Sequence, residues 1–221
     1  MRNERVAAAL APAIEAARGK RSEPLGVAVD GPVTRDYDDE SPLGNLFADL
    51  LREATGADVA VTNGGGLRAD LPAGPLTFGA LYEAFPFDNR VAKVRLSVGA
   101  LRRVLAAHLA RGGGILSVSG LTLTARCGSG GLDVALDRNG STLSDDTVLT
   151  IAGSDFLFAG GDEFWSGATP AEGIAIDRER VRDALVRSLK QRTSIRAAEL
   201  FDPKRPRLAL PARRPIACSA R

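Results

Sequence analysis

Residues 41–68 read SPLGNLFADLLREATGADVAVTNGGGLR and hold a helix pattern, a strand pattern and a glycine loop in succession. Ser41 followed by Pro42 is a typical helix start, because the serine side chain caps free amides and proline fits the first helical position. Apolar residues then recur at the i, i+3, i+4, i+7 spacing of one buried face until Gly56. The apolar run 58–62 is typical of a buried strand. This stretch predicts an amphipathic helix followed by a buried strand that ends in three glycines.

The rest of the chain alternates further helix and strand patterns around this unit. Helices are predicted at about residues 3–18, 98–111 and 178–191, and a turn with a short helix at 76–85. Strands are predicted at about 25–29, 90–96, 115–118, 121–124, 132–136 and 147–152. Strands and helices mixed in this order predict an α/β (α+β) fold of mixed β-sheets flanked by helices.

We expect one main domain between two smaller segments. Residues 1–31 hold an N-terminal helix and a lead-in strand, residues 32–200 the main domain, and residues 201–221 a Pro- and Arg-rich tail. The composition of the tail predicts a loosely ordered segment. The sequence shows no signal-peptide pattern and no apolar run of about 20 residues, so it predicts no membrane contact.

Charge and histidine content narrow the range of functions. The 221 residues include 29 basic and 27 acidic side chains, for a net charge of +2. Nucleic-acid-binding proteins usually carry a concentrated basic face, so no nucleic-acid partner is expected. His-rich metal sites need several imidazole ligands, and His108 is the single histidine. We therefore expect no cofactor in this chain and interpret His108 as a helix-face residue.

The two cysteines, Cys127 and Cys218, lie far apart in the sequence. A disulfide between them is possible in an oxidising compartment, because such bonds persist there. Two reduced thiols are the alternative, and they are the state that we expect from the sequence.

The loop after the predicted strand at 58–62 carries groups suited to a ligand. Asn63 supplies an amide, Arg68 supplies a guanidinium fork, and the three glycines between them let a ligand approach the backbone closely. A tight structural turn explains the glycines equally well. The loop does not match a dinucleotide or P-loop fingerprint.

Two later loops add aromatic and acidic groups. One carries Phe87, directly after a proline, and Asn89; the other carries Phe156 and, beside a Gly-Gly step, Asp162. Two phenyl rings can stack on a flat base, and a carboxylate can accept hydrogen bonds from ribose hydroxyls. Each feature alone has a plainer interpretation, since a Phe after Pro often packs in the core and a turn Asp often bonds its own backbone. Together they predict a nucleoside site.

Five motifs along the chain resemble one known family in their order and spacing. They are Ser41-Pro42-Leu43-Gly44-Asn45-Leu46, Asn63-Gly64-Gly65-Gly66-Leu67-Arg68, Phe85-Pro86-Phe87-Asp88-Asn89, Gly113-Gly114-Ile115-Leu116-Ser117-Val118-Ser119-Gly120 and Asp155-Phe156 through Gly160-Gly161-Asp162. The motifs resemble the C-terminal domain of the 5′-nucleotidase family, which includes UDP-sugar hydrolases and 2′,3′-cyclic-nucleotide phosphodiesterases. The resemblance covers about residues 32–165. It implies a substrate-binding domain that takes a nucleoside or nucleotide in nucleotide catabolism.

The resemblance also implies roles for eight residues. Phe87 and Phe156 would stack on the two faces of the base, and Asn63 and Asn89 would lie beside the nucleoside. The remaining implied ligand contacts are Asp162 to the ribose hydroxyls, Arg68 to the sugar or phosphate, Gly113 through its backbone, and Arg35 as the arginine that precedes the first motif.

The same family carries its catalytic metals in another domain. It hydrolyses phosphate esters with two metal ions held by an N-terminal metallophosphoesterase domain that includes a Gly-Asn-His motif, and this sequence contains none of those motifs. We therefore expect the chain alone to lack catalytic activity. Divalent metals are expected only in a partner metallophosphoesterase chain or a missing N-terminal domain. Members are commonly exported, which implies a periplasmic or extracellular setting, although no signal peptide is recognised.

Departures from the family pattern leave a second interpretation open. Asp88 stands where glycine is usual, Ile115 and Ser117 replace a more usual aromatic residue and Gln, and residues 163–165 read Glu-Phe-Trp. The alternative is a stand-alone binding or protein-interaction module that has lost nucleotide specificity. An uncovered aromatic patch would then favour self-association.

Overall fold

A computed structural model describes residues 4–169 and 173–218. Its helices α1–α6 are Glu4–Arg21, Pro42–Thr55, Phe78–Ala84, Val98–Ala110, Asp155–Phe158 and Val181–Leu189. Its strands β1–β12 are Pro24–Val29, Val59–Asn63, Gly74–Thr77, Arg90–Ser97, Leu116–Ser119, Thr122–Gly128, Gly131–Arg138, Ser141–Thr142, Val148–Ser154, Ala175–Arg180, Ser194–Ile195 and Leu208–Ala209. Residue 3, where the first helix is predicted to begin, lies outside the described residues.

Within the described ranges the strands form three sheets. Their strand orders are β11-β1-β3, β10-β4-β9-β2-β5 and β12-β6-β7-β8. In the central five-stranded sheet, β2 runs parallel to β9 and antiparallel to β5, and β4 runs antiparallel to β9. Helices pack on these mixed sheets, which confirms the predicted α/β (α+β) class.

The central sheet separates two apolar cores, because side chains alternate between the faces of a strand. On β2, Val59 and Val61 face a core shared with α4, β6 and β7. Ala60 faces the other core, shared with α2, α6 and β1. Both faces of β2 are therefore covered, and all of its residues are buried, which explains its continuous apolar sequence.

The helix α2 forms as its sequence predicts. The hydroxyl of Ser41 accepts a hydrogen bond from the amide of Gly44 at 3.1 Å, and Pro42 occupies the first helical position. Gly56 ends the helix with a φ of 63°, a conformation that glycine adopts without strain. Local capping chemistry thus determines both ends of α2.

The helix α1 ends later than its glycine predicts. It continues through Gly19 to Arg21. The carbonyl of Arg21 lies so close to α3 that a Cβ on Gly79 would meet it at 2.8 Å. This contact between helices explains why Gly19 does not end the helix, since tertiary packing overrides local propensity.

The C-terminal tail is ordered, contrary to the prediction from its composition. Strand β12 pairs in parallel with β6, and the buried Ile216 donates its amide to the Leu109 carbonyl at 3.0 Å. Cys218 joins Cys127 in a disulfide, so the expectation of two reduced thiols is also wrong. Composition misleads here because the tail is ordered by the surface on which it packs. Residues 219–221 of the tail lie outside the described residues.

Candidate functional site

Four segments meet at one edge of the central sheet because of the directions of its strands. The parallel strands β2 and β9 end there, at Asn63 and Ser154. The antiparallel strands β4 and β5 begin there, since Val91 pairs with Ser154 and Leu116 pairs with Asn63. The loops after β2 and β9 therefore meet the loops before β4 and β5.

The loops after β2 and β9 and the loop before β4, with one that precedes α2, line a cavity of about 330 Å³. Its lining residues are Tyr37, Asn63, Gly65, Gly66, Arg68, Phe87, Asn89, Phe156 and Asp162. The structure thus brings together six of the eight residues expected from the sequence, namely Phe87, Phe156, Asn63, Asn89, Asp162 and Arg68. The volume suits a small molecule.

The other two expected residues, Arg35 and Gly113, do not line the cavity. Arg35 is exposed, and its backbone amide donates to the Asp70 carboxylate at 2.8 Å. Gly113 has a φ of 102°, and its carbonyl accepts a hydrogen bond from Arg214 at 3.3 Å. The glycines at the cavity wall belong to the loop after β2.

Tyr37 is a wall residue that the sequence did not indicate. Its ring lies against the glycine loops, because a Cβ on Gly114 would meet Cε2 of Tyr37 at 3.2 Å and a Cβ on Gly65 would meet it at 3.7 Å. Its carbonyl accepts a hydrogen bond from the amide of Ile115 at 2.7 Å. Tyr37 lies in a polar loop without periodicity, so long-range pairing rather than a local pattern places it at the cavity.

Two phenyl rings are available to a ligand. Phe87 is 38% exposed and Phe156 is 44% exposed, which is high for residues of this type. Phe87 packs edge-on against Phe85 at 5.9 Å between centroids, and Phe85 packs likewise against Phe47 at 6.2 Å. Phe156 lies over Gly161, where a Cβ would approach the ring to 2.5 Å. Each ring therefore contacts the protein and remains partly accessible to a ligand.

Asp162 is held in an uncommon backbone conformation. Its φ of 50° and ψ of 30° lie in the left-handed region, which persists only when the surroundings stabilise it. Asn63 Nδ2 donates to Asp162 Oδ2 at 2.6 Å, and Arg111 donates to the Asp162 carbonyl. Arg111 also pairs with Glu163 at 3.1 Å. Asp162 Oδ1 makes no hydrogen bond to the described residues and is free for a ligand.

His108 lies behind Asp162 and is 2% exposed. Its Nε2 lies 2.6 Å from the Gly114 carbonyl, and its Nδ1 lies 2.8 Å from Nη2 of Arg111. Nε2 therefore donates and Nδ1 accepts, which is the pattern of a neutral imidazole. Burial, assisted by the charges of Arg214 and Arg111, lowers the pKa of His108 to about 4. His108 is a structural link between two loops of the site, as a neutral residue.

Arg68 and Asn89 supply two further polar groups to the lining of the cavity. Arg68 is exposed, and its Nη1 donates to the Gly65 carbonyl at 3.3 Å. The carbonyl of Asn89 accepts from the amide of Val181 at 2.8 Å, whereas its side-chain amide makes no hydrogen bond to the described residues. Both side chains can reach a ligand.

Asp88, the charged departure from the family pattern, does not line the cavity. Its carboxylate accepts from Arg182 at 2.5 Å and lies 3.6 Å from Arg180. The buried Arg182 also donates to the carbonyls of Phe85 and Phe87, at 3.2 and 3.1 Å. The charge of Asp88 is thus neutralised outside the cavity, and Arg182 fixes the backbone that presents Phe87.

The chain thus forms an α/β domain with a small cleft at one edge of its central sheet. Across residues 4–169 and 173–218, no cluster of three or more His, Cys, Asp and Glu side chains is placed to hold a metal ion. None of the helices in these ranges combines the length and apolarity needed to cross a membrane.

Residues 19–168 match the family described as 5′-nucleotidase, C-terminal domain, and the chain belongs to this family. It is 35% identical over 139 residues to the Endonuclease YhcR of Bacillus subtilis (strain 168), covering 62% of this chain and 11% of that protein. It is 32% identical over 153 residues to the Trifunctional nucleotide phosphoesterase protein YfkN of the same organism, covering 62% and 10%. The chain therefore spans about a tenth of the length of these relatives.

Solved structures share the fold. The 5′-nucleotidase precursor from Thermus thermophilus superimposes on 94% of this chain and 42% of its own, with a TM-score of 0.71 and 21% identity. The NAD nucleotidase (NadN) of Haemophilus influenzae superimposes on 94% of this chain and 41% of its own, with a TM-score of 0.74 and 14% identity. These likenesses establish the fold.

Proposed function

We propose that this chain is the nucleoside- or nucleotide-recognition domain of a 5′-nucleotidase-type phosphoester hydrolase. The observation that carries the proposal is the meeting of two exposed phenyl rings, two amides, a guanidinium and a carboxylate around one cavity of about 330 Å³. A flat base, a diol and an anionic group are the chemical complements of this set.

Each side chain that lines the site has a separate role in binding. Phe87 and Phe156 stack on the base, and the free amide of Asn89 reads its polar edge. Asn63 is already bonded to Asp162, so it acts by orienting the carboxylate. Oδ1 of Asp162 accepts from a ribose hydroxyl, and Arg68 binds an oxygen of the sugar or phosphate.

We assign cleavage of the phosphoester to a metallophosphoesterase domain, as the family resemblance implies. The divalent metals would be held by that domain, on the same protein or on a separate chain. This chain contributes by binding and orienting the nucleoside part of the substrate. The Cys127–Cys218 disulfide supports the periplasmic or extracellular setting that the family implies, because such bonds persist in oxidising compartments.

Asp88 and residues 163–165 suggested an interaction module, but Asp88, Phe164 and Trp165 make contacts within the domain. Asp88 is paired with arginines outside the cavity. Phe164 and Trp165 are buried, and both pack against Phe158 at 5.3 and 6.2 Å between centroids. These residues therefore add no exposed patch, which favours nucleotide recognition over the alternative.

Calorimetric titration with adenosine and 5′-AMP tests the proposal. We expect wild type to bind, and Phe87→Ala with Phe156→Ala to weaken binding at least tenfold, since stacking contributes about 1–3 kcal/mol per base. Phe201→Ala is the matched control, because Phe201 does not line the cavity. Absence of binding by wild type at about millimolar ligand, a weak affinity on the usual scale, would contradict the proposal.

A further inference from the structure

A buried arginine from the C-terminal tail contacts the back of the site. Arg214 is 9% exposed. Its Nη1 donates to the carbonyls of Asp38 and Gly113, both at 3.3 Å. Its Nη2 donates to the carbonyls of His108 and Arg111, at 2.9 and 3.4 Å. One guanidinium thus joins the C-terminal tail to residue 38 and to residues 108–113, which are distant from each other in the sequence.

Each of these segments supports a part of the cavity. Asp38 directly follows Tyr37, whose ring lines the wall. Gly113 directly precedes Gly114, which packs so closely that a Cβ there would lie 2.7 Å from the amide of Gly65. Arg111, two residues before Gly113 and directly after α4, holds the carbonyl of Asp162.

We propose that Arg214 is a positioning residue for the cavity, because its four hydrogen bonds hold the loop of Tyr37, the loop of Gly113 and the end of α4 in one arrangement. The inference rests on the proposed function, since nucleoside binding is its readout. Arg214 lies beyond the span 19–168 that matches the family, so the family match assigns it no role.

The strongest consequence concerns Asp162. Its left-handed backbone depends on the hydrogen bond from Arg111 to its carbonyl. Arg111 follows directly after α4, and Arg214 caps the carbonyls at that end of the helix. A cation is also favourable there, because the C-terminal end of a helix carries partial negative charge. Loss of Arg214 would release Arg111 and with it the carboxylate that faces the ribose.

The tail is anchored on both sides of Arg214. Before it, Leu208–Ala209 pairs with β6. After it, the amide of Ile216 donates to the Leu109 carbonyl, and Cys218 is bonded to Cys127. These anchors keep the guanidinium in place, so the disulfide also supports the geometry of the site.

The test compares Arg214→Gln with Arg213→Gln, since Arg213 is an exposed neighbour in the same tail. Calorimetry measures the dissociation constants of adenosine and of 2′,3′-dideoxyadenosine, which lacks the hydroxyls that Asp162 would bind. We expect Arg214→Gln to weaken adenosine about tenfold and the dideoxy analogue less than about threefold, so their affinity ratio falls. Arg213→Gln should leave the ratio unchanged.

A merely structural role would lower the melting temperature without changing the ratio, and that result would overturn the inference. In an Asp162→Asn background the effect of Arg214→Gln should disappear, because coupled residues are not additive. If Arg214→Gln does not fold, Cys127→Ser with Cys218→Ser loosens the same tail and should lower the ratio in the same direction. Failure of wild type to bind adenosine would refute the proposed function itself, whereas binding with an unchanged ratio refutes only the role of Arg214.

Discussion

The two walls of the cavity are held by different kinds of interaction. The aromatic wall, residues 85–89, is supported by the Phe47–Phe85–Phe87 ring contacts and by one buried arginine, Arg182. The acidic wall, residues 160–163, is supported by a polar network that includes His108 and the tail. The apolar burial that favours ring packing is non-directional, whereas the polar network requires each donor and acceptor in place.

We therefore expect the two walls to respond to different conditions. The aromatic wall depends on apolar burial and on hydrogen bonds from Arg182, and neither His108 nor the disulfide takes part in it. The acidic wall depends on the protonation state of His108 and on a tail held by a disulfide. Conditions or substitutions that loosen one wall should therefore leave the other in place.

Cys127→Ser with Cys218→Ser should destabilise the domain more than any other substitution considered. The bond joins residues 91 positions apart, and loop-closure entropy predicts that its loss lowers the free energy of unfolding by up to about 4–5 kcal/mol. Urea unfolding measures the loss. Hydrogen exchange should accelerate at the end of α4 and remain unchanged at residues 85–89. Wild type reduced with dithiothreitol should match the variant; an unchanged unfolding midpoint would contradict the prediction.

The free energy of unfolding should also depend on pH, because His108 titrates differently in the folded and unfolded chain. Its pKa is about 4 in the folded chain and about 6.5 when unfolded, so the unfolded chain takes up the proton first as pH falls. The stabilisation of the fold by neutral His108 is therefore complete above about pH 6.5 and is lost as pH falls towards 4. The expected loss in the free energy of unfolding is about 3 kcal/mol.

His108→Gln separates this effect from the titration of carboxylates. Glutamine can donate to the Gly114 carbonyl and accept from Arg111 without binding a proton. The difference in free energy of unfolding between wild type and variant should change sharply between pH 7 and pH 4.5 in urea titrations. A difference that stays constant over this range would show that His108 titrates normally.

Arg182→Met tests the aromatic wall and should cost about 2–3 kcal/mol in the free energy of unfolding, because buried carbonyls lose their donor. Adenosine binding should weaken as Phe87 shifts, with no change in the pH dependence assigned to His108. Asp88→Asn is the control. Asp88 is 70% exposed, so its loss should cost less than about 1 kcal/mol. Equal effects of the two substitutions would argue against a stabilising role for the hydrogen bonds from Arg182 to the carbonyls of Phe85 and Phe87.

The smallest effects concern two neighbouring glycines. A Cβ on Gly114 would lie 2.7 Å from the amide of Gly65, so Gly114→Ala should cost about 1–3 kcal/mol by overpacking. A Cβ on Gly65 would meet its neighbours at 3.6 Å or more, so Gly65→Ala should change stability by less than about 0.5 kcal/mol. Because Gly65 lines the cavity, Gly65→Ala should weaken adenosine binding in calorimetry. Unimpaired binding would place the ligand away from the glycine loop.

Much of the fold could be predicted from the sequence because it depends on neighbouring residues. The caps and periodicity of α2 and the continuous apolar run of β2 predicted their type and bounds correctly to within about a residue. The short edge strands β3, β8, β10 and β11 were missed, since pairing rather than local pattern makes them strands. The ordered tail was missed for the same reason.

The residues of the candidate site likewise fall into those that the sequence predicted and those that only long-range contacts place. Six residues that line the cavity, Phe87 and Asp162 among them, stand in recognisable motifs. Tyr37 and Arg214 stand in none, because their places depend on contacts with Ile115 and with the end of α4. His108 was expected on a helix face, but its burial and its neutral state follow from the loops that close over it.

Side chains a few positions apart encode the main helices, the central strands, the glycine loops and the chemical groups available for a ligand, so the sequence predicted these features. The folded structure alone brings the loops together at one sheet edge, because their meeting requires β2 and β9 to run parallel between two antiparallel neighbours. It also decided the pKa of His108 and the position of Arg214, since burial and long-range hydrogen bonds exist only once the chain has folded.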